Sequence, residues 1–237
     1  MKVLVITNLY PNAAEPNRGI FIKQQVDRLA ARCDVKVIAP LPFYKSIPET
    51  LRAKTIPFSV AVEFIGDIEV YHPRYYYTPK ILRSLYGIYY FLSIYFLCRK
   101  MEEIYKPDIY LNYWIYPDGF ATVATAKLLG KKVVTSSRGC DVNHYTRKFM
   151  LKSLITWTLR NADLNLTVSE KMRSMLISMG IPSEKVIAVP NGIDKKLFYP
   201  IEKKAAREIL SLPLHKRTIL YIGRLDEEKN VQLLINA

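Results

Sequence analysis

A glycine turn flanked by two cations lies near the carboxyl-terminal end of the printed sequence. Residues 223–230 follow an apolar run and include Gly223, Arg224 and Lys229. Glycine lets a ligand approach the backbone closely. Arginine offers phosphate a planar fork of donors, and lysine a mobile point charge. The pattern predicts an anion site suited to a diphosphate that gains negative charge as it leaves. A surface turn with solvated charges is the alternative.

A second group of candidate residues follows the apolar run at residues 109–113. Trp114, Tyr116 and Asp118 combine an aromatic platform with one carboxylate. Such groups commonly line sugar or nucleoside pockets, so the pattern predicts a ligand pocket at this loop. The alternative is that the two aromatic rings pack between a sheet and a helix.

The most polar of these loops covers residues 137–144. Its Arg138 and Asp141 are candidate catalytic residues, because a cation and a carboxylate with a glycine between them can bind and polarise a charged substrate. The two side chains could instead pair with each other. Cys140 lacks a recognisable histidine partner, so the sequence argues against a thiol nucleophile.

Gly19 begins a predicted helix after the long loop that follows the first apolar run. Backbone N–H groups at such a helix start can meet a phosphate. The sequence contains neither GxGxxG nor GxxxxGK[ST]. Their absence argues against a nicotinamide or flavin oxidoreductase and against a P-loop NTPase.

The elements that must position these residues follow a regular alternation. Short apolar runs rich in β-branched residues are separated by segments long enough for a helix, which predicts a parallel α/β sheet. In open sheets of this kind, ligands bind beyond the carboxyl ends of the strands, where the candidate loops lie. Ser169 is a predicted N-cap, and Gly180 closes the helix that follows. The predicted strands are 3–7, 35–39, 68–71, 109–113, 133–136, 164–168, 186–189 and 218–222. The predicted helices include 21–31, with Gln24, Gln25 and Arg28 facing out, 119–129 and 170–179.

A domain boundary is predicted at residues 190–194, where the last strand of one sheet meets a turn and then a charged stretch. Residues 1–192 would form an α/β domain with helices on both faces of a parallel sheet. Residues 193–237 would form a linker and the first strand and helix of a second α/β domain, because a single strand cannot form a sheet alone.

Composition favours a globular protein with anionic partners. The 237 residues are 50% hydrophobic and carry a net charge of +14, which suits nucleotide diphosphates, anionic lipid headgroups or nucleic acid. No RNA- or DNA-binding motif is present, so nucleic acid ranks last. Three scattered cysteines (Cys33, Cys98 and Cys140) form no disulfide framework and fit a reducing cytosol. The apolar start is too short for a signal peptide.

The uncharged run at residues 84–98 is rich in aromatics and flanked by cations. It is shorter than the roughly 20 residues that span a bilayer. The pattern fits an interfacial helix on an anionic membrane surface, and hence a location in the cytoplasm or on the inner face of the cell membrane. A buried or half-buried helix that covers a sheet is the alternative.

Taken in order, these segments resemble the group 1 retaining glycosyltransferases, also called glycosyltransferase family 4, whose two Rossmann-like domains form the GT-B fold. The resemblance covers the whole chain. It is most specific at residues 190–194, which are followed by Phe198 and Pro200, and at residues 223–230.

The resemblance implies an N-terminal domain that mainly binds acceptor and a C-terminal domain that mainly binds a nucleotide-diphosphate sugar. Trp114, Tyr116 and Asp118 would then lie on the acceptor side. Protein cations would replace the divalent ion that other transferases use, so no metal or cofactor is implied. Retention would follow from same-face attack assisted by the leaving phosphate, without a protein nucleophile. The implied donor-binding residues are Gly19, Asn191, Gly223, Arg224 and Lys229.

Two departures from the family pattern matter. Many members carry histidine where this chain has Arg138, and arginine is permanently charged and cannot act as a general base. The family's pair of glutamates is expected beyond Ala237. The resemblance implies a retaining hexosyltransferase that acts on an envelope glycan or lipid-linked acceptor. Because the glutamates are expected beyond Ala237, this chain alone would be inactive. A non-catalytic module that binds glycan, lipid or protein is the alternative.

Overall fold

The computed structural model describes residues 1–42, 60–76, 85–139, 149–223, 225 and 227–236. The chain divides into two compact units, Met1–Asn191 and Gly192–Ala237. This division lies next to the predicted boundary. The identity of the second unit as the start of another α/β domain stays a prediction.

The first unit is built on an eight-stranded sheet. Its strands are β1 (Lys2–Ile6), β2 (Asp34–Ile38), β4 (Ala61–Ile65), β5 (Ile68–His72), β7 (Ile109–Tyr113), β8 (Lys132–Ser137), β9 (Leu164–Thr167) and β10 (Val186–Ala188), and a separate pair is formed by β3 (Leu41–Pro42) and β6 (Arg74–Tyr75). The order across the sheet is β10-β9-β8-β7-β1-β2-β5-β4. The strand pairs are parallel except for β4 and β5, which are antiparallel. The predicted parallel α/β sheet is thus confirmed, with an antiparallel edge strand in addition.

Helices cover both faces of this sheet, as predicted. The described helices of the first unit are α1 (Ile20–Ala30), α2 (Tyr86–Ile104), α3 (Phe120–Leu128), α4 (Phe149–Asn161) and α5 (Glu170–Ser178). Successive residues of a strand point to opposite faces. Accordingly, Leu4 and Ile6 of β1 share a core with α2 and α3, whereas Val3 and Val5 share another core with Ile22 of α1. Within the described ranges, no helix combines the length and the apolar composition needed to cross a bilayer.

Local capping agrees with the sequence around α5. The Ser169 hydroxyl accepts a hydrogen bond from the Met172 N–H at 3.2 Å, which satisfies a donor at the helix start. Gly180 follows the helix with a φ of +83°, a conformation that glycine adopts without a steric penalty.

The second unit contains little regular structure in its described part. It has the short helices α6 (Lys203–Ile209) and α7 (Val231–Ile235) and a 3₁₀ turn at Glu227–Lys229. No described residue from Gly192 onward is buried. The predicted strand at 218–222 is wrong, because those residues form no strand. A strand needs a hydrogen-bonded neighbour, and the described residues of this unit provide none.

Candidate ligand site at the carboxyl edge of the sheet

Three neighbouring strands direct their following loops to one edge of the sheet. Strand β7 lies between β1 and β8, and its pairs with both are parallel. The carboxyl ends of parallel strands meet at the same edge, which is where ligands bind in open α/β sheets. The loops that begin at Thr7, Trp114 and Arg138 are therefore neighbours.

Arg138 contacts two aromatic rings at this edge. Its guanidinium carbon is 4.7 Å from the ring centroid of Tyr113, the last residue of β7, and 5.8 Å from that of Phe21 on α1. Such contacts attract a cation to the ring faces. Burial raises the pKa of the Tyr113 hydroxyl, while the charge of Arg138 opposes the rise. The cation is thus held at the end of β8 by rings from two other elements.

Two side-chain amides fix the orientation of the Arg138 guanidinium. Nη1 donates to Oδ1 of Asn191 at 2.9 Å, and Nη2 donates to Oε1 of Gln25 at 2.5 Å. Nε2 of Gln25 also donates to Oδ1 of Asn191 at 2.9 Å. The three side chains form a closed set of hydrogen bonds, which we call the Arg138 network. The network joins two predicted site residues, Arg138 and Asn191, to helix α1.

Gln25 is a site residue that the sequence analysis missed. Its prediction as an outward-facing residue is wrong, because the side chain is half-buried and bonds Arg138 and Asn191. One signal was available: Gln25 lies four residues after Phe21, and residues at this spacing share a helix face. The position of that face against the end of β8 depends on the tertiary structure.

The Arg138 network can contribute to a reaction by electrostatic stabilisation. An arginine side chain keeps its proton, so Arg138 can stabilise a negative charge but cannot accept a proton from a nucleophile. A cation held by packed rings and amide acceptors is already oriented before a ligand arrives, which favours stabilisation of charge at one fixed position.

Gly19 begins α1 with a left-handed φ of +59°. A Cβ atom at this position would lie 2.1 Å from the Leu9 carbonyl oxygen, so no other residue fits without movement of the backbone. The adjacent Arg18 donates from Nε to the Asn8 carbonyl at 2.9 Å. The glycine therefore lets the loop after β1 fold against the start of α1. Its contact with donor phosphates stays a prediction.

Trp114 is presented by a tightly bonded backbone. Its φ of +87° is unusual for a residue with a side chain. The Trp114 N–H donates to the Ser136 carbonyl at 3.0 Å, and its own carbonyl accepts from Gly119 N–H at 3.0 Å and from Asn112 Nδ2 at 3.1 Å. The indole is half-buried. Of the three predicted acceptor-side residues, it is the one whose side chain remains accessible.

Tyr116 and Asp118 are both buried. The Tyr116 hydroxyl accepts a hydrogen bond from Gly87 N–H at 3.0 Å, and Asp118 Oδ2 accepts one from Asn8 N–H at 2.7 Å. Burial raises the pKa of the Asp118 carboxyl to about 8, against the opposing effect of the Asn8 hydrogen bond. Their burial favours the packing alternative for these two side chains. Asp118 links the loop after β7 to the loop after β1.

The remaining predicted site residues are Asp141, Gly223, Arg224 and Lys229. Asp141 and Arg224 lie outside the described residues. In the second unit, Gly223 is exposed at a bend, and Lys229 is exposed at the end of the 3₁₀ turn. A common donor site stays a prediction. Among the described residues, no group of three or more histidine, cysteine or carboxylate side chains is placed to hold a metal ion.

The amino-acid sequence is similar to those of known glycosyltransferases. The family model described as Glycosyltransferase Family 4 matches residues 19–197. A Bacillus subtilis protein named as a teichuronic acid biosynthesis glycosyltransferase is 29% identical over 247 aligned residues. That alignment covers 100% of this chain and 62% of the relative.

Solved structures share the fold at low sequence identity. Sucrose-phosphate synthase from Thermosynechococcus elongatus matches with a TM-score of 0.65 and 17% identity, covering 99% of this chain and 58% of the other. Anabaena HepE in complex with UDP-glucose matches with a TM-score of 0.51 and 16% identity, covering 89% of this chain and 50% of the other. The matched part of this chain thus spans 58% and 50% of the length of these two solved proteins.

Proposed function

The chain belongs to glycosyltransferase family 4, and on that premise we propose that the whole protein transfers a hexose, with retention, from a nucleotide-diphosphate sugar to an envelope glycan or lipid-linked acceptor. The observation that carries the proposal is the extent of the family match, residues 19–197. It includes the start of α1 and each strand end that presents Trp114, Arg138 and Asn191.

The donor and acceptor classes are drawn from similar proteins. Anabaena HepE, which shares the fold, binds UDP-glucose in its solved structure, and this supports a nucleotide sugar as donor. The Bacillus subtilis relative is named for teichuronic acid biosynthesis, which supports an envelope polysaccharide as the product. We assign both classes to this protein as part of the proposal.

In the proposed reaction, cations replace a metal ion at the leaving group. Arg224 and Lys229 neutralise the departing diphosphate, and Gly223 permits its close approach. Gly19 and Asn191 belong to the same donor site, and Asp141 acts with Arg138 on the sugar. Because Arg138 keeps its charge, it stabilises negative charge and does not deprotonate the acceptor. The acceptor oxygen bonds to the anomeric carbon on the face from which the diphosphate leaves, and the departing phosphate takes the proton of the acceptor hydroxyl. The acceptor reaches this edge beside Trp114.

We also propose that residues 1–237 alone do not turn over. The chain spans 62% of the length of the Bacillus subtilis relative. From Gly192 onward, none of the described residues is buried, so this unit supplies Lys229 without a packed core to fix its position. An arginine or lysine stabilises a leaving group only when its position is fixed.

The test compares full-length protein with residues 1–237 in the presence of labelled nucleotide sugars and EDTA. We expect the full-length protein to release nucleoside diphosphate and label an acceptor glycan in EDTA, and the shorter chain to do neither. Turnover by the shorter chain would refute its inactivity, and loss of activity in EDTA would refute the metal-free mechanism. Glycan binding without turnover by the full-length protein would favour a non-catalytic module.

A further inference from the structure

Helix α2 is apolar on its outer side as well as on its buried side. Ile88, Leu92 and Phe96 are 46%, 54% and 70% exposed. They are spaced by four residues, so they lie on the same side of three successive turns. We call these three residues the α2 ridge. The opposite side of the helix supplies Tyr90 and Ile94 to the core, so the ridge lies outside the described core.

Another helix of the same domain shows what a solvated outer side looks like. Helix α5 buries Met172 and Leu176, and its exposed residues include Lys171, Ser174 and Ser178. This is the usual polar face of a surface helix. A contiguous apolar strip on a surface helix instead marks a contact with another molecule or with a membrane.

Cations continue the α2 ridge at its carboxyl-terminal end. Arg99 and Lys100 follow Phe96 by three and four residues and are exposed, and neither forms an ion pair with a described residue. Glu102 is already occupied, because it pairs with Lys131 at 2.5 Å and accepts from the Tyr110 hydroxyl at 2.7 Å. The two cations therefore outnumber the one exposed acid of the helix, Glu103.

We propose that the α2 ridge, Arg99 and Lys100 form a docking face for an anionic lipid bilayer, with α2 lying in the interface and not crossing it. The apolar residues would enter the acyl boundary while the cations meet headgroups. Half-exposed Tyr89 and Tyr95 flank the ridge with rings suited to the headgroup level. This inference does not depend on the proposed transferase activity.

A bilayer fits this face better than a second copy of the chain does. Stable protein interfaces bury about 800 Å² on each partner, whereas the ridge is one line of three side chains. A membrane accepts a narrow ridge because lipids adapt to its shape. The net charge of +14 also opposes self-association and favours an anionic surface.

The apolar part of the proposal is tested by sedimenting residues 1–237 with phosphatidylcholine vesicles that contain or lack phosphatidylglycerol. We expect roughly tenfold stronger binding to the anionic vesicles, with a decrease at high salt. Phe96→Ser should weaken binding about tenfold, because the variant loses the favourable free energy of burying a phenylalanine ring in the acyl region. The matched control is Phe64→Ser on edge strand β4, where Phe64 is 71% exposed compared with 70% for Phe96.

The electrostatic part is tested by a double variant with an equal change of charge elsewhere. Arg99→Gln with Lys100→Gln should weaken binding to anionic vesicles roughly tenfold. Lys195→Gln with Lys196→Gln, at exposed positions in the second unit, should have little effect. Unchanged melting temperatures of all variants show that the comparison is between folded proteins.

Three results would overturn the proposal. The first is equal binding to vesicles with and without phosphatidylglycerol. The second is an equal loss of binding in Phe96→Ser and Phe64→Ser. The third is a chain that is dimeric by size-exclusion chromatography and becomes monomeric in Phe96→Ser, which would identify a second copy as the occupant.

Discussion

At the scale of single residues, Gln25 is expected to position Arg138. Removal of the Gln25 side chain should therefore impair catalysis more than stability. In Gln25→Ala, Nη2 of Arg138 loses the acceptor that it now has at 2.5 Å. Hydrogen bonds to charged groups contribute about 1.5–3 kcal/mol. The full-length variant should therefore lose roughly tenfold in kcat/KM. The measurement is the initial rate of sugar transfer at several donor concentrations.

The neighbouring Gln24 provides a matched control for this prediction. Gln24 is exposed, so Gln24→Ala removes the same type of side chain from the same helix but outside the Arg138 network. Its transfer rate and melting temperature should match those of the unmodified protein. If both variants show the same rate, Gln25 has no positioning role.

Asp118 is expected to make the stability of the fold depend on pH. Its pKa is raised from 3.8 to about 8, mainly by burial, so the folded state binds a proton that the unfolded state releases. This contribution is fully present below the unfolded pKa and is lost as the pH rises through the folded pKa. The free energy of unfolding should thus decrease between about pH 4 and pH 8, and Asp118→Asn should remove this decrease.

Urea unfolding at pH 5 and pH 7.5 tests the Asp118 prediction. The stability of Asp118→Asn relative to the unmodified chain should rise with pH, by up to about 1.4 kcal/mol per pH unit. Asp67→Asn, an equal change of charge at an exposed position, should show no such trend. A difference that is independent of pH would mean that Asp118 ionises in the folded protein as it does in the unfolded chain.

At the scale of elements, α5 shows how closely local sequence determines a helix boundary. Ser169 accepts from the Met172 N–H at 3.2 Å, so Ser169→Ala should destabilise the chain by about 1 kcal/mol. Ser178→Ala, in the last turn of the same helix, should cost less than about half of that. Chemical denaturation of the two variants provides the comparison, and equal losses would contradict the capping role.

The central strands are predicted well from the sequence because both of their faces are buried. Strands β1 and β7 are covered on both faces, and such strands appear as continuous apolar runs. Strand β4 is harder to recognise, because Val62 and Phe64 are exposed while the intervening Glu63 is half-buried. The run at 218–222 has the composition of a strand, but composition does not supply a partner.

The candidate site is only partly predictable, for a related reason. Arg138 and Asn191 are identified because they lie in loops after strands and in motifs with a family resemblance. Gln25 is missed because its role depends on where α1 packs against the end of β8. Trp114, Tyr116 and Asp118 look equivalent in the sequence, and only packing separates a half-buried indole from two buried side chains.

At the scale of the whole molecule, the first unit is expected to carry the stability of the chain. The described residues from Gly192 onward are all at least partly exposed, so a protein ending at Asp194 should melt within about 2 °C of residues 1–237. A protein ending at Gly180 should melt roughly 10 °C lower, because it lacks β10 and the buried Ile181 and Val186. Thermal unfolding followed by circular dichroism measures both melting temperatures. A large loss on ending at Asp194 would mean that the second unit stabilises the first.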